Sequence, residues 1–338
     1  MAETNRQVLL RARPDGIPQA HHFEVSDVPL GLLVEGRFRI RNAYVSVDPA
    51  MRGWVSAVAN YSKPVAIGEV MRSFAVGEVV ESRNPDYAPG DRLVGMFGWQ
   101  SFTDSDGQDV TRRVREDDLP LSAQLGVLGL NGITALLGLT LIGEPKAEET
   151  VVVSTAAGSV GATVGQVAKI LGCRTVGITG GPEKAQLCLE EFGYDEALDY
   201  KSGVDLSAAV AGACPNGVHV YFDNTAGPVS DAVLPHLAVG ARVVICGTAS
   251  VASWDPPPLG PRIERHFLTK RARMQGFLYF DHVSQAEEAI ARLANWLREG
   301  RLKHREDILD GLDQAPDAIA GLYRGENLGK RLIRVGAG

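Results

Sequence analysis

The segment Thr150–Gly161 constrains the fold of this chain more than any other part of the sequence. A β-branched run leads into small residues with the spacing Ala-x-Gly-x-x-Gly, and a helical pattern follows over 162–171. This order predicts strand, tight turn and helix, the opening of a nucleotide-binding βαβ unit, rather than an ordinary strand–helix turn. Gly158 lets the backbone approach a pyrophosphate, Gly161 lets the helix pack on the strand, and the first helical N–H groups bind phosphate. The expected contacts are Ala157, Gly158, Ser159, Val160 and Gly161.

The next predicted strand, 175–179, bears on the identity of the dinucleotide. NAD-binding units place an acid about 20 residues after the glycines, where it binds the ribose 2′-hydroxyl. Here that position is Thr179-Gly180-Gly181, without a carboxylate on the strand end, which favours NADP. Lys184 and Tyr200, with Lys201 behind them, are candidates for binding the 2′-phosphate. The alternative for Lys184 is an ordinary solvated helix residue.

Length and composition narrow the function classes. A chain of 338 residues predicts two domains. A net charge of −7 without a basic block argues against nucleic acid and anionic membranes as partners. The longest apolar stretch, 135–142, is too short to span a bilayer, and the N-terminus lacks a signal-peptide pattern, so a cytoplasmic location is expected. The four cysteines and seven histidines have no ligand spacing, and we expect neither disulfides nor a metal.

The pattern of predicted secondary structure changes near residue 126. The first 125 residues consist of short strands broken by turns, such as 38–45 and 77–82, which predicts an antiparallel β domain partly closed like a small barrel. Later strands alternate with helices, which predicts a parallel sheet in a doubly wound α/β fold. The predicted strands are 150–155, 175–179, 195–199, 218–223 and 242–246. An amphipathic helix is expected over 284–298 and a closing strand over 330–335. The proline-rich segment 255–260 is either a connector or part of a substrate lid.

Several segments, taken together, resemble one known family. They are 46–54, 68–71, 131–135, 156–161, 221–224, 274–277 and 325–330. The chain resembles the zinc-independent branch of the medium-chain dehydrogenase/reductase superfamily that contains leukotriene B4 dehydrogenase, prostaglandin reductase and alkenal double-bond reductase. The resemblance covers essentially the whole length.

The resemblance implies a GroES-like β domain, from 1–125 with 305–338, and a Rossmann NADPH-binding domain, 126–304. It implies reduction of the C=C bond of an α,β-unsaturated ketone or aldehyde, and a homodimer. It also implies that Lys184 and Tyr200 bind the 2′-phosphate. Further cofactor-lining positions that it implies are Thr134, Asn224, Cys246, Gly247, Thr248, Phe277, Leu278, Tyr279 and Asn327. The alternative for Asn224 is a turn-forming residue after a strand.

The chain departs from the family at one position that bears on catalysis. Many members have a tyrosine, proposed to stabilise or protonate the enolate, where this chain has Ala252. Tyr61 is the preferred substitute, since a phenol suits hydrogen bonding to a forming enolate, and Tyr279 is the second choice. The alternatives are that Tyr61 packs on Trp54 and that a ribose hydroxyl passes the proton.

The segment around Asp48 has a structural interpretation. Asp48 and Arg52 are interpreted as a structural pair, and Met51, Trp54 and Met71 are expected to line an apolar pocket for the enone tail. Three functions remain: an NADPH-dependent enone reductase, an NADPH:quinone oxidoreductase, and a non-catalytic NADPH-binding protein, which a fold alone does not exclude. A zinc alcohol dehydrogenase is disfavoured because its Cys and His ligands are absent from the β domain.

Overall fold

The computed structural model describes residues 3–57, 62–251 and 258–336. The chain divides into two compact units. One combines Met1–Leu125 with Glu306–Gly338, and the other is Gly126–Arg305. Tyr61, Ala252 and half of the proline-rich segment lie outside the described residues.

Strands are the main regular elements in the first part of the chain. Its described elements are β1 (Thr4–Leu10), β2 (Phe23–Pro29), β3 (Phe38–Ser46), α1 (Met51–Val55), β4 (Ala75–Ser82), β5 (Arg92–Gly95), β6 (Phe102–Ser105) and β7 (Val110–Arg113). β1 and β2 pair antiparallel as a separate two-stranded sheet. The predicted antiparallel character of this region is therefore confirmed.

The middle of the chain alternates strands with helices. Its described elements are α2 (Leu130–Leu137), β8 (Thr150–Ser154), α3 (Ser159–Ile170), β9 (Arg174–Thr179), α4 (Pro182–Glu190), β10 (Glu196–Asp199), α5 (Leu206–Ala213), β11 (Val218–Asp223), α6 (Gly227–Val233), β12 (Leu237–Ile245), α7 (Glu264–Lys270), β13 (Arg273–Gly276) and α8 (Ala286–Arg298). A π-helical turn, Gly138–Gly143, extends α2. Among the described helices, none is long and apolar enough to cross a membrane.

The strands of this middle unit form one parallel sheet. Within the described residues its order is β10-β9-β8-β11-β12-β13. All five residues of β8 are buried, as a β-branched strand covered on both faces of a parallel sheet should be. The chain runs from β8 out to β10 and returns to β11 on the other side of β8, so the strand order reverses between β8 and β11. In doubly wound folds, ligands bind beside such a reversal, at the carboxyl ends of the strands.

The last part of the chain returns to the first unit. It contains β14 (Glu306–Asp310), α9 (Ala315–Arg324) and β15 (Lys330–Arg334). The sheet that results has the order β14-β15-β3-β4-β5-β7, with β6 also paired to β3, in the described part of this unit. β15 lies between β14 and β3 and runs antiparallel to β3. The predicted fold class, an antiparallel β unit with a doubly wound parallel-sheet unit, is confirmed.

A buried ion pair joins β15 to the segment after β3. The Lys330 ammonium lies 2.6 Å from Asp48 Oδ1 and donates to Ser46 Oγ at 2.6 Å and to the Val47 carbonyl at 3.1 Å. Only 4% and 5% of the Lys330 and Asp48 side chains are exposed. Burial lowers the pKa of Lys330, and the facing Asp48 carboxylate opposes that shift. Because water does not reach the two charges, they are stabilised by each other and by the hydrogen bonds of Lys330 to Ser46 and Val47.

This arrangement adds a partner that the sequence analysis did not consider. Asp48 pairs with Lys330, 282 residues along the chain, while the Arg52 guanidinium lies 5.0 Å from the ring centroid of Tyr323. Met51, Trp54 and Met71 are all buried in the core of this unit, with 1% exposure or less. Their apolar character therefore has a packing role in the described structure.

Candidate cofactor site

The glycine turn after β8 has the geometry that the sequence predicted. α3 begins at Ser159, and its first helical bond runs from Ala162 N–H to the Gly158 carbonyl at 2.8 Å. A Cβ atom on Gly161 would lie 2.2 Å from the Thr155 carbonyl oxygen, so a side chain does not fit there. At Gly158 a Cβ atom would lie 3.0 Å from the Thr155 methyl group, a tight but smaller conflict. The first N–H groups of a helix have no acceptor within the helix and attract anions.

The carboxyl ends of β8 and β11 are joined by one hydrogen-bond network. Asn224 donates its backbone N–H to Ser154 Oγ at 2.8 Å and its side-chain N–H to the Ser154 carbonyl at 2.7 Å. Ser154 Oγ in turn donates to Asp223 Oδ1 at 3.2 Å. The network therefore fixes the side-chain orientation of Asn224, which was predicted to line the cofactor, at the reversal of strand order.

Asp223 is the centre of this network, and the sequence analysis did not assign it a role. Its buried carboxylate accepts the backbone N–H groups of Thr225 and Ala226, both at 2.9 Å, and the hydroxyl of Ser230 at 2.5 Å. Burial, followed by the charge of Asp223, raises the pKa of Tyr221, whose hydroxyl donates to the same carboxylate. The sequence does contain one signal for this role: Asp223 ends a predicted buried strand and is followed directly by Asn-Thr.

The loops after β12 and β13 reach the same edge of the sheet. The Cys246 and Gly247 N–H groups donate to the Asp223 carbonyl at 2.8 and 3.1 Å, and a Cβ on Gly247 would lie 2.9 Å from the Asn224 carbonyl oxygen. Phe277 is buried, and its N–H donates to the Ile245 carbonyl at 3.0 Å. The structure thus brings together the predicted residues on three consecutive strand ends.

The remaining predicted positions belong to other elements of the structure. Thr134 is buried in α2, and a Cβ on nearby Gly138 would lie 3.1 Å from the Phe222 ring. Leu278 is 38% exposed and Tyr279 begins the following 3₁₀ turn, beside Phe277. Asn327 belongs to the other unit, where its side-chain N–H donates to the Gly329 carbonyl at 2.8 Å.

The turn after β9 meets the residues predicted to recognise the 2′-phosphate. The Tyr200 N–H donates to the Thr179 carbonyl at 3.0 Å, and a Cβ on Gly180 would lie 2.9 Å from the Tyr200 hydroxyl oxygen. Lys184 lies in the first turn of α4, which begins at Pro182. β9 itself ends without an acid, as expected, but Asp199 of the adjacent strand accepts the Gly181 N–H at 2.7 Å. Sequence reasoning missed this carboxylate because it comes from a neighbouring strand.

The cysteines of this unit are not arranged for chemistry. All four are free. Burial raises the pKa of Cys173 and Cys214 to about 11, and raises that of Cys188 to about 12. Burial, with the Asp223 charge, also raises the pKa of Cys246 to about 12. None of the four is a thiolate near neutral pH, the form that acts as nucleophile or metal ligand. Among the described residues, no three His, Cys, Asp or Glu side chains are grouped for a metal.

A glycine turn at the strand-order reversal of a parallel sheet, in a chain that also builds an antiparallel β unit, defines a two-unit dinucleotide-binding protein. Comparison with known proteins narrows this class. Residues 6–112 match the family model described as the N-terminal domain of oxidoreductase, and residues 159–295 match the model described as zinc-binding dehydrogenase.

Relatives match over nearly the full length. The chain is 41% identical to NADPH-dependent curcumin reductase of Escherichia coli over 338 residues, covering 98% of this chain and 97% of the relative. It is 36% identical to 2-alkenal reductase (NADP(+)-dependent) of Nicotiana tabacum, covering 99% of each. The crystal structure of CurA from Vibrio vulnificus in complex with NADPH has a TM-score of 0.92 at 38% identity, covering 98% of this chain and all of that one.

The chain belongs to the zinc-independent branch of the medium-chain dehydrogenase/reductase superfamily that contains the alkenal and prostaglandin reductases. The resemblance stated from sequence motifs is therefore confirmed.

Proposed function

We propose that this protein is an NADPH-dependent reductase of the C=C bond of α,β-unsaturated ketones and aldehydes. The observation that carries the cofactor part of the proposal is the glycine turn at the strand-order reversal, where the space of a Gly161 Cβ is already occupied by the Thr155 carbonyl. A turn this tight leaves the start of α3 accessible to a pyrophosphate, so the residues present fit a dinucleotide.

Three groups of residues would hold the cofactor. Ala157, Gly158, Ser159, Val160 and Gly161 would bind the pyrophosphate. Thr179, Gly180, Lys184 and Tyr200 would bind the 2′-phosphate. Thr134, Asn224, Cys246, Gly247, Thr248, Phe277, Leu278, Tyr279 and Asn327 would line the rest of the dinucleotide.

The chemistry of the reaction divides between cofactor and protein. When bound, NADPH would supply a hydride for the β-carbon of the substrate, and the resulting enolate would take a proton from solvent at its α-carbon. The protein's part is orientation and electrostatics. Asn224 is suited to orienting the cofactor because its backbone N–H and its side-chain N–H both donate to Ser154, which fixes the side chain.

We assign Tyr61 the hydrogen bond to the enolate oxygen. Tyr61→Phe should then lower kcat by about tenfold or more with little change in cofactor KM, and an unchanged kcat would remove Tyr61 from the mechanism.

The names of two relatives support this substrate class. One is a curcumin reductase and the other a 2-alkenal reductase. A 2-alkenal carries its C=C bond next to an aldehyde carbonyl, so the second relative is named for the reaction class proposed here.

NADPH oxidation with a panel of acceptors tests the function. We expect turnover of 2-alkenals and of an aryl butenone, with the saturated carbonyl compound as product, and much lower kcat/KM with a naphthoquinone. Product analysis is the decisive measurement, because cofactor oxidation alone does not distinguish the acceptors. Turnover restricted to the quinone would instead identify an NADPH:quinone oxidoreductase. Tight NADPH binding without turnover of any acceptor would identify a non-catalytic protein.

We also propose that the enzyme is a cytoplasmic homodimer that pairs through β13. This strand ends the parallel sheet, all four of its residues are exposed, and Met274 is 40% exposed. An open strand edge is a template for pairing with a second copy, and Met274 provides one exposed apolar side chain on it. The four free cysteines suit a reducing compartment.

Light scattering tests the dimer. It should give twice the chain mass for the wild type and the monomer mass for Met274→Glu, and a monomeric wild type would refute the dimer.

A further inference from the structure

Asp199 fixes the backbone on two sides of the proposed 2′-phosphate site. It ends β10 in register with Thr179 of β9. Its Oδ1 atom accepts the Gly181 N–H at 2.7 Å and the Lys201 N–H at 2.9 Å. Gly181 has a φ of 97°, a conformation that L side chains rarely adopt. One carboxylate oxygen therefore ties the glycine turn after β9 to the chain after β10.

One of the two segments that Asp199 joins, the chain after β10, carries side chains suited to a phosphate. Tyr200 has its hydroxyl against Gly180, 2.9 Å from where a Cβ would be. The Lys201 ammonium lies over the Tyr200 ring, 5.9 Å from its centroid, so a cation and a phenol lie together on this segment. Their placement relative to the glycine turn depends on the backbone that Asp199 holds.

We propose that Asp199 is a positioning residue for recognition of the cofactor's 2′-phosphate, and that Lys201 supplies a second cation beside Lys184. Asp199 does not contact the phosphate. It holds the Gly180–Gly181 turn against Tyr200 and Lys201, so that the phenol and the ammonium are in place before the cofactor arrives. The inference rests on the proposed function, because it concerns the same cofactor. It goes beyond it by assigning NADPH selectivity to a carboxylate, the charge that ordinarily disfavours a 2′-phosphate.

The Asp199 carboxylate acts here through its oxygen atom rather than through its charge. An asparagine at the same position offers an oxygen acceptor of similar geometry without the charge. Asp199→Asn should therefore preserve the turn, whereas Asp199→Ala leaves the Gly181 and Lys201 N–H groups without their acceptor. The two variants separate the contact from the charge.

Fluorescence titration of the purified full chain with NADPH and with NADH measures the two Kd values and tests the proposal. For Asp199→Ala we expect the Kd of NADPH to rise about tenfold while the Kd of NADH stays within about twofold, since NADH has no 2′-phosphate. For Asp199→Asn both values should stay within about threefold of the wild type. Lys184→Ala shows how much the Kd of NADPH rises when a side chain proposed to contact the phosphate directly is removed. Lys201→Met leaves the Asp199 contacts in place and should raise only the NADPH Kd, by several-fold, even if Asp199→Ala fails to fold.

The matched control is Asp205→Ala. The Asp205 carboxylate also accepts two backbone N–H groups, those of Ser207 at 2.9 Å and Ala208 at 3.2 Å, but it caps α5. Its loss should lower the thermal midpoint without changing the ratio of the two Kd values. The proposal is overturned if Asp199→Ala weakens NADPH and NADH equally, or if Lys201→Met leaves the ratio unchanged. A wild type that does not prefer NADPH would instead contradict the proposed cofactor.

Discussion

Replacing Lys330 by methionine is expected to lower the free energy of unfolding by about 3–5 kcal/mol. The substitution removes the ammonium that lies 2.6 Å from the buried Asp48 carboxylate, while the methionine fills a similar volume. Removing one partner of a buried ion pair leaves the other charge in a low-dielectric interior, which costs far more than the net contribution of the intact pair. Urea unfolding monitored by tryptophan fluorescence measures the change.

The same strand provides a control for this substitution. Arg334 also pairs with an aspartate across the β14–β15 pair, at 2.6 Å, but 50% of its side chain and 72% of that of Asp310 are exposed. Arg334→Met should cost less than about 1 kcal/mol, since exposed ion pairs contribute little. Adding Asp48→Asn to Lys330→Met should recover at least half of the lost stability. Equal costs for the two single substitutions would show that burial of the pair is not what stabilises this unit.

Replacing Gly161 by alanine is the second large effect that we expect. Its Cβ would lie 2.2 Å from the Thr155 carbonyl oxygen and 2.8 Å from the Ala156 Cα. These are backbone atoms, so the whole turn must open, at a cost of about 1–3 kcal/mol in unfolding free energy. Because an opened turn no longer presents the α3 N–H groups to a pyrophosphate, the Kd of NADPH should rise at least about tenfold.

Two other glycine-to-alanine substitutions calibrate this result. Gly158→Ala meets Thr155 at 3.0 Å, so it should cost less than about 1 kcal/mol. It should still weaken NADPH binding, since the glycine at this place in the motif lets the backbone come close to the pyrophosphate. Gly212→Ala, in α5 with nothing within 4 Å, should be neutral or stabilise the chain by up to about 1 kcal/mol. Unchanged NADPH binding in Gly161→Ala would contradict the assignment of the turn to the dinucleotide.

The parts of the fold that depend on local pattern were predictable from the sequence. The β-branched run before the glycines becomes β8, and the helical pattern after them becomes α3. β13 was missed because Arg273–Gly276 is exposed along its whole length and has no hydrophobic pattern. The predicted strand 242–246 covers only the second half of β12, which begins at Leu237, before Gly240.

The residues that were missed at the site and in the buried ion pair were missed for a different reason. Asp199, Asp223 and Lys330 each act through contacts that sequence spacing does not encode. Asp199 reaches a turn 18 residues earlier from an adjacent strand, and Ser154 bonds Asp223 across 69 residues. Local propensity contains no information about which strands become neighbours, so these roles required the sheet order.

The position of β15 has a consequence for how the chain is made. β15 lies inside its sheet, between β14 and β3, although it is formed by residues near the end of the chain. During synthesis, the first 125 residues leave the ribosome with residues 44–46 of β3 still without their β15 partners, and they wait while about 205 more are added. The middle unit is continuous in sequence and can fold during that interval. The unit that is begun first is therefore completed last, and nascent chains expose this short part of the β3 edge until β15 has been translated.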